Sequence, residues 1–435
     1  MVTFPKTDYE SLIQDGRVHC SLYTDQSLFE TELEKLWYRE WIFIGHESEV
    51  PQSGDYTLKW LGLQPVIMTR DEDGGVNLLL NHCAHRGATV CQDESGNSHG
   101  FRCWYHGWTY NNKGDLIGVT FADNYDASFD MQEMGLARVP RVGSYRGFVF
   151  ASMSPTGIDL DTHLGLAKTE ILDRLCDLSP VGEVQISTGW LKHRVESNWK
   201  MMMENACDHY HANFTHQSTR IIGRSGTRAG VAGLVAGNGT RENETSGERA
   251  RMTVRYLGHG HADYFRPDGQ QHETPDDGRP LEGVAKVYFE ALAQRLGEAA
   301  AKERILDGAP HAMIFPNLFV ANQNLFVAQP LGVGAMVSYQ APVFLKGVPP
   351  EVNQRQLRRF EGASGPAGML EQDDGEIWER NQRGLQTRMP EWQILRRGIH
   401  NERAMADGSV IAGGDNTDET PQRGFWRHYR SLMQA

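Results

Sequence analysis

No run in this chain of 435 residues stays apolar for the roughly 20 positions that a membrane-spanning helix needs. Basic blocks are missing as well. Lys and Arg number 43 against 56 Asp and Glu, a formal net charge of −13. That balance argues against nucleic acid and against an anionic membrane surface as partners. The opening MVTFPKTDYESLIQDGRVHC lacks the apolar core of a secretory signal, so the expectation is a cytoplasmic protein. Cysteine is scarce and follows no repeated framework: Cys20, Cys83, Cys91, Cys103, Cys176 and Cys207. In a reducing compartment such cysteines bind metals or act catalytically more often than they pair. A G-x-G-x-x-G fingerprint at a strand–helix junction is absent, so the chain should not bind NADH itself. Internal repeats and low-complexity tracts are absent too. What remains is an ordinary globular composition, 39% hydrophobic and 23% charged, with length for about two or three domains.

The periodicity changes twice along the chain. Residues 1 to 37 read as helical, with Ser27 as N-cap of SLFETELEKLWYREW and Leu28, Leu33, Leu36 and Trp37 at helical spacing. From Trp41 the pattern becomes short strands between Gly-rich turns, including a hairpin in which PVIMTR and VNLLLN flank DEDGG. Residues 38–155 are therefore read as a small all-β domain. After Pro155, residues 162–178 and 286–306 read as helices, 184–197 as a strand and 311–344 as successive strands of one sheet. PEVNQRQLRRFE, QDDGEIWERNQRGL and the C-terminal GFWRHYRSLMQA read as helices. Residues 222–248 have weak periodicity and read as a surface or lid loop. The fold class is α+β, with residues 1–37 and 156–435 forming a larger domain whose antiparallel sheet is surrounded by helices.

Two loops of the β domain each offer one cysteine and one histidine: Cys83-Ala84-His85-Arg86-Gly87 and Cys103-Trp104-Tyr105-His106-Gly107-Trp108. Zinc sites usually group cysteines and histidines in like pairs. Here each loop is mixed. A Cys-x-His loop with a Cys-x2-His loop suits a Rieske [2Fe–2S] cluster, in which two cysteines hold one iron and two histidines the other. Cys83 and Cys103 then take the inner iron, His85 and His106 the outer one. Neutral imidazoles in place of two thiolates remove negative charge and raise the reduction potential.

A second cluster of ligands lies in NWKMMMENACDHYHANFTH, residues 198–216, which contains Asp208, His211 and His216. Two neighbouring histidines with a carboxylate from elsewhere form the ligand set of a non-haem iron(II) site with open positions for oxygen. Asp208 and His211 are an i, i+3 pair on one helix face. His211 and His216 are i, i+5, roughly 140° apart on an ideal helix. The helix must therefore distort or end before His216 if both imidazoles meet one metal. Asn205 is expected to face the iron pocket. Trp199 and Tyr210 read equally as core, and His209 and Cys207 as non-ligands.

Taken together, the CxHRG and CxYHGW loops, SNWK at 197–200, the EN-x2-D-x-YH-x4-H core and GPAGMLEQDDGEIWERNQRG at 365–384 resemble the α (large) subunit of Rieske non-haem iron ring-hydroxylating oxygenases. The similarity covers nearly the whole chain. It implies a third iron ligand at the second aspartate of QDD, Asp374. The residues alone leave Glu371, Asp373, Asp374 and Glu376 equivalent. It also implies that Asp208 bridges the iron-ligand histidine of one subunit to a cluster histidine of its neighbour, an oligomer of α3 or α3β3 type, and a β subunit. The implied electron donor is a ferredoxin or an NAD(P)H-dependent reductase. The implied products are cis-dihydrodiols or phenols. A Rieske electron-transfer protein with a degenerate second site, or a zinc-binding structural protein, is the alternative from a different class.

For the substrate, the two residues between Asn205 and Asp208 and the C-terminal RGFWRHYRSLM resemble oxygenases for aromatic acids such as benzoate, anthranilate, salicylate and terephthalate. Leu370 and Ser364 stand where hydrocarbon enzymes often carry aromatics. Arg220, Arg224 and Arg228 are candidate carboxylate partners, though a solvated loop explains them equally well. A neutral mono- or polycyclic arene is the other substrate class.

Overall fold

In the computed structural model of the chain, residues 7–219, 252–266, 282–405 and 410–435 are described. They fall into two compact units, Leu36–Leu160 and a larger one made of Met1–Lys35 with Asp161–Ala435.

The smaller unit is all β apart from single helical turns. Asp55–Leu61, Gln64–Arg70 and Val76–Leu80 form an antiparallel meander, joined on its other edge by Ser95–Asn97. Ile42–His46, Phe148–Ser152 and Arg141–Tyr145 form a second sheet, and Gly100–Arg102, Thr109–Asn111 and Leu116–Gly118 a third. Alternation along these strands sends Tyr56, Ile67, Leu79, Phe101 and Tyr110 into one core that also encloses Cys83 and Cys103.

The larger unit is built on a nine-stranded antiparallel sheet. From one edge it runs Leu191–Val195, Ala335–Pro342, Asn324–Gly332, Leu318–Ala321, Ala312–Ile314, Ala262–Phe265 and Thr253–Tyr256. Helices Pro350–Ser364, Glu371–Leu385 and Thr420–Gln434 belong to the same unit. This is the α+β architecture expected above. Among the described residues no helix is long and apolar enough to cross a membrane.

Several local expectations fail for identifiable reasons. The N-terminal stretch is not continuously helical. Ile13–Gln14 and Arg17–His19 form a two-residue hairpin across Asp15-Gly16, with Gly16 at φ 76°, a turn pair that favours such hairpins. The helix Gln26–Glu32 is capped by Asp25 rather than Ser27: the Asp25 carboxylate accepts from the amides of Ser27 and Leu28 at 2.8 and 3.2 Å. The helix expected over 162–178 is broken after Leu164, where Gly165 sits at φ 44°. The helix expected over 286–306 is two, Val284–Leu296 and Glu298–Asp307, divided by Gly297 at φ 85°. Only glycine takes such angles freely. The strand expected over 184–197 is likewise two short strands, with Gly189 at φ 75° between them.

Behind the 198–216 segment lies a buried polar lattice. Lys200 is fully buried and pairs with the equally buried Glu32. Glu32 also accepts from Trp199 Nε1 at 3.0 Å and Tyr429 Oη at 2.6 Å. A buried ion pair is weak evidence of net stabilisation, but removing one partner strands the other. Lys200→Met is accordingly expected to lower stability by about 3–5 kcal/mol, read as a shift of the denaturant midpoint. An unchanged midpoint would mean that Glu32 carries no charge in need of a partner.

Candidate metal centres

The two Cys/His loops of the β unit share one backbone design. In the first, the Cys83 amide donates to Ala88 O and the Gly87 amide to Cys83 O, both at 2.9 Å. In the second, Cys103 donates to Trp108 O at 2.8 Å and Gly107 to Cys103 O at 2.9 Å. Each turn closes through a left-handed glycine, Gly87 at φ 79° and Gly107 at φ 76°. The loops thereby present their cysteines inward, 1% and 2% exposed, and their histidines outward. The His85 and His106 rings lie 4.6 Å apart. Buried thiols under a pair of surface imidazoles are what a cluster with one sulfur-held and one nitrogen-held iron requires.

Sequence reasoning missed three supports of these loops. Tyr110 Oη accepts the Ala84 amide at 3.2 Å and lies 3.1 Å from Cys83 Sγ. Burial and the Cys83 sulfur push its phenol well above the ordinary value, so it stays protonated and would donate to a metal-bound thiolate there. Trp108 stacks on His85, 4.9 Å between centroids. Thr120 Oγ1 donates to His106 O at 2.8 Å. A strand-like spacing puts Tyr110 two residues past Trp108, but nothing local marks it as a sulfur partner.

In the larger unit the helix Trp199–Asn205 is capped by Asn198, whose side chain accepts from the Lys200 amide at 3.1 Å. It ends at Asn205. One further turn, Ala212–Thr215, leads to His216 at φ −99°, ψ 28°. The helical turn thus ends at Thr215, between the two histidines, as the i, i+5 spacing demands, and Asp208 stands outside a helix. Its Oδ1 accepts the His211 amide at 3.2 Å.

The Nε2 atoms of His211 and His216 lie 3.5 and 3.4 Å from the same oxygen, Asp374 Oδ1. One ligand atom from each of these three residues lies within 4.8 Å of the others. Two ligand atoms each about 2.1 Å from an ion and at right angles to tetrahedral about it would be about 3.0–3.4 Å apart. The spacing is therefore too long for hydrogen bonds and suited to a shared ion. Asp374 Oδ1 is buried and has no hydrogen-bond partner. Both Nδ1 atoms face carboxylates: His211 towards Asp208 Oδ1 at 3.7 Å, and His216 towards Asp373 Oδ2 at 3.6 Å. Asp373 was not singled out from sequence. Burial depresses the His211 pKa, but Asp208 and Asp374 outweigh it and hold it above the ordinary value. Glu371 also lines the cavity, and burial together with Asp374 keeps its carboxyl well above the usual range.

Asn205, Ser364 and Leu370 line the same cavity. Its far wall is the sheet. Phe319 pairs with Phe326 and Ala321 with Asn324, so all four share one face, next to His311. Trp199 does not reach the cavity. It is the buried donor to Glu32 described above. Tyr210 donates to Glu419 at 3.3 Å under Arg397, a structural role. His209 packs edge-on against Tyr264, and neither it nor Cys207 belongs to the three-ligand group. Glu204 is sealed between donors, Tyr23 Oη at 2.7 Å and Trp426 Nε1. Burial pushes its carboxyl up to about 7. The 222–248 loop and Arg220, Arg224 and Arg228 lie outside the described residues.

A chain that carries both donor sets belongs to a definite class, the oxidoreductases that couple a Rieske centre to a mononuclear metal. Residues 40–137 match the Rieske [2Fe-2S] domain family, and residues 183–435 the ring hydroxylating alpha subunit (catalytic domain) family. The chain is 30% identical to the 2-halobenzoate 1,2-dioxygenase large subunit of Burkholderia cepacia, covering 94% of this chain and 89% of that one. It is also 30% identical to the biphenyl dioxygenase subunit alpha of Paraburkholderia xenovorans (strain LB400), covering 98% and 92%. Its fold is similar to that of naphthalene 1,2-dioxygenase from Rhodococcus sp. bound to indole, with a TM-score of 0.81, 26% identity, and coverage of 96% and 94%. The protein therefore belongs to the alpha subunits of Rieske non-haem iron aromatic ring-hydroxylating dioxygenases. It is an oxygenase with a [2Fe–2S] cluster and a mononuclear iron, and the electron-carrier alternative falls.

A Cβ on Gly107 would meet Thr120 Oγ1 at 2.5 Å, at a φ of 76°. Gly107→Ala is expected to strain the second loop by about 1–2 kcal/mol and to lower cluster loading, measured as acid-labile sulfide per chain and visible absorbance. Full loading would show that the loop absorbs the change elsewhere.

Proposed function

We propose that this protein is the terminal oxygenase of a system that hydroxylates an aromatic carboxylate of the benzoate, salicylate or anthranilate type, giving a cis-dihydrodiol or a hydroxylated product. The observation that carries this reading is a set of polar side chains in the cavity: Asn205, Asn324, Ser364 and His311 line it, and a neutral arene could pair with none of them. Burying polar groups against an apolar substrate costs free energy. The cluster ligands are Cys83, His85, Cys103 and His106. The iron ligands are His211, His216 and Asp374. A neutral arene is the second reading, favoured by the stacked Phe319 and Phe326, 5.1 Å apart.

When bound, the cluster supplies electrons one at a time and the iron supplies open positions at which dioxygen is activated. The chain's own residues do the rest. Asp208 fixes the His211 backbone through the 3.2 Å amide bond and stands 3.7 Å from its ring Nδ1, on the side from which carboxylates orient ligand imidazoles. Asp373 Oδ2 stands 3.6 Å from His216 Nδ1. The side chain of Asp208 is 26% exposed, which leaves it open to the partner subunit's His106, so it connects the two metal sites across an assembly of α3 or α3β3 type. A ferredoxin or an NAD(P)H-dependent reductase supplies the electrons in the cytoplasm, and a β subunit completes the α3β3 form. The balance for dihydroxylation is arene plus dioxygen plus two electrons and two protons to cis-dihydrodiol.

Turnover under labelled dioxygen with benzoate, salicylate, anthranilate and terephthalate beside biphenyl and naphthalene is the direct test. Two labelled atoms on an acid ring are expected. Oxidation of the neutral arenes alone would overturn the carboxylate reading. Asp374→Ala should lose the mononuclear iron by metal analysis and keep the cluster spectrum. Asp208→Asn should keep both metals and lose about 10- to 100-fold in hydroxylation rate. Turnover at the parental rate would remove the bridging role.

A further inference from the structure

Two side chains on the sheet wall of the cavity have their hydrogen-bonding sense fixed from behind. The first is His311. Its Nε2 lies 2.9 Å from the backbone carbonyl of Ala206. A carbonyl only accepts, so Nε2 carries the hydrogen. Burial pushes the His311 pKa down to about 4, and the neutral ring then has its lone pair on Nδ1. Among the described residues Nδ1 meets no hydrogen-bond partner, and His311 lines the cavity. It is an acceptor awaiting a donor.

The second is Asn324. The orientation of its amide follows from Gln356 on the helix Pro350–Ser364. Gln356 Nε2 lies 3.0 Å from both Asn322 O and Gln323 O. Two carbonyls can face only the amino end of that amide. The same amino group lies 2.8 Å from Asn324 and must find its Oδ1 there. Asn324 Nδ2 is left as a donor with no acceptor among the described residues, on a side chain that lines the cavity. Asn322 and Gln323 form a tight turn with φ of 51° and 62°, so the clamp also holds the turn next to Asn324.

Asn324 pairs directly with Ala321 across the sheet, and Ala312, next to His311, pairs with Val320. The acceptor and the donor therefore come from strand ends on either side of Leu318–Ala321 on one wall, with Phe319 and Phe326 on the same wall to receive a ring. We propose that His311 Nδ1 and Asn324 Nδ2 form a recognition pair, the first accepting a ring hydroxyl or amino hydrogen and the second donating to a carboxylate oxygen. The preferred substrate is then an aromatic acid whose ring carries a hydrogen-bond donor. This deepens the aromatic-carboxylate reading and rests on it. An acid without the donor leaves His311 desolvated and unpaired, and a neutral arene leaves both residues so. One buried unpaired polar group costs about 5- to 150-fold in selectivity.

The test compares kcat/KM and product formed per dioxygen consumed for salicylate, anthranilate, benzoate, 2-methoxybenzoate and biphenyl, using the reductase-coupled holoenzyme. The unaltered enzyme should prefer salicylate or anthranilate over benzoate and 2-methoxybenzoate by about 5- to 150-fold. His311→Phe should bring that ratio near one. Asn324→Asp keeps the volume and the bond from Gln356 but replaces the donor by an oxygen, so it should weaken all acids together and leave the salicylate-to-benzoate ratio in place. Iron and sulfide content confirm that each variant is loaded. If either fails to fold, Gln356→Met removes the clamp from outside the cavity and should weaken the acids in the same pattern as Asn324→Asp. A ratio near one in the unaltered enzyme, or a ratio that survives His311→Phe, overturns the pair while acid turnover keeps the carboxylate reading. Turnover of biphenyl without any acid overturns both.

Discussion

The buried Lys200–Glu32 pair is the constraint on which the 198–216 segment depends. Lys200 stands on the helix that leads into 206–216, Glu32 on the helix Gln26–Glu32, and Tyr429, a second donor to Glu32, on the C-terminal helix. A charge pair removed from water is tolerated only when its remaining lone pairs and hydrogens are satisfied: Trp199 and Tyr429 donate to the carboxylate, and the ammonium lies over the rings of Tyr23, Trp199 and Tyr429. Glu204 repeats the design one turn later with Tyr23 and Trp426. Gln422 then donates to Glu204 O at 2.8 Å and Cys207 O at 3.4 Å, just where the helix has stopped and its carbonyls need partners. The non-helical stretch that carries Asp208 and His211 is therefore held from behind by side chains more than 150 residues away in sequence.

The two metal-ligand sets solve opposite problems. The cluster loops rely on backbone geometry: two turns of the same hydrogen-bond pattern, each closed by a left-handed glycine, set a thiol inward and an imidazole outward. The mononuclear set relies on charge. Asp374 faces both Nε2 atoms, and separate carboxylates, Asp208 and Asp373, face the two Nδ1 atoms. Three carboxylates around two imidazoles leave an excess of negative charge that a divalent cation would neutralise. The sheet wall opposite contributes neutral polar groups and aromatic faces, which govern what lies near the metal rather than the metal itself.

Much of this was legible in sequence wherever the signal is local. Alternation and turn residues marked the β meander of the smaller unit and the strands within 311–344. The mixed Cys/His loops marked the proposed cluster ligands, and the i, i+5 spacing of His211 and His216 required a broken helix, which is what the chain has. Errors arose where one residue overrides a periodic pattern. Gly165 and Gly297 interrupt stretches whose apolar spacing is helical, and Asp15-Gly16 turns a stretch that otherwise reads as helix. Asp25 displaced Ser27 as the cap because its carboxylate reaches two amides at once.

By itself the sequence determined the donor atoms: two thiols, two loop imidazoles, and a pair of histidines with a choice of downstream carboxylates. Residue identity sets ligand chemistry, and short spacing sets which groups share a turn. Only the tertiary structure decided that Asp374, and neither Glu371 nor Asp373, faces both Nε2 atoms, that Asp373 stands behind His216, that Tyr110 touches Cys83, and that Ala206 and Gln356 fix the hydrogen-bonding sense of His311 and Asn324. Each of these depends on groups far apart in the chain meeting within a few ångströms. Their direction is set by packing of the helices against the sheet, which no local pattern encodes.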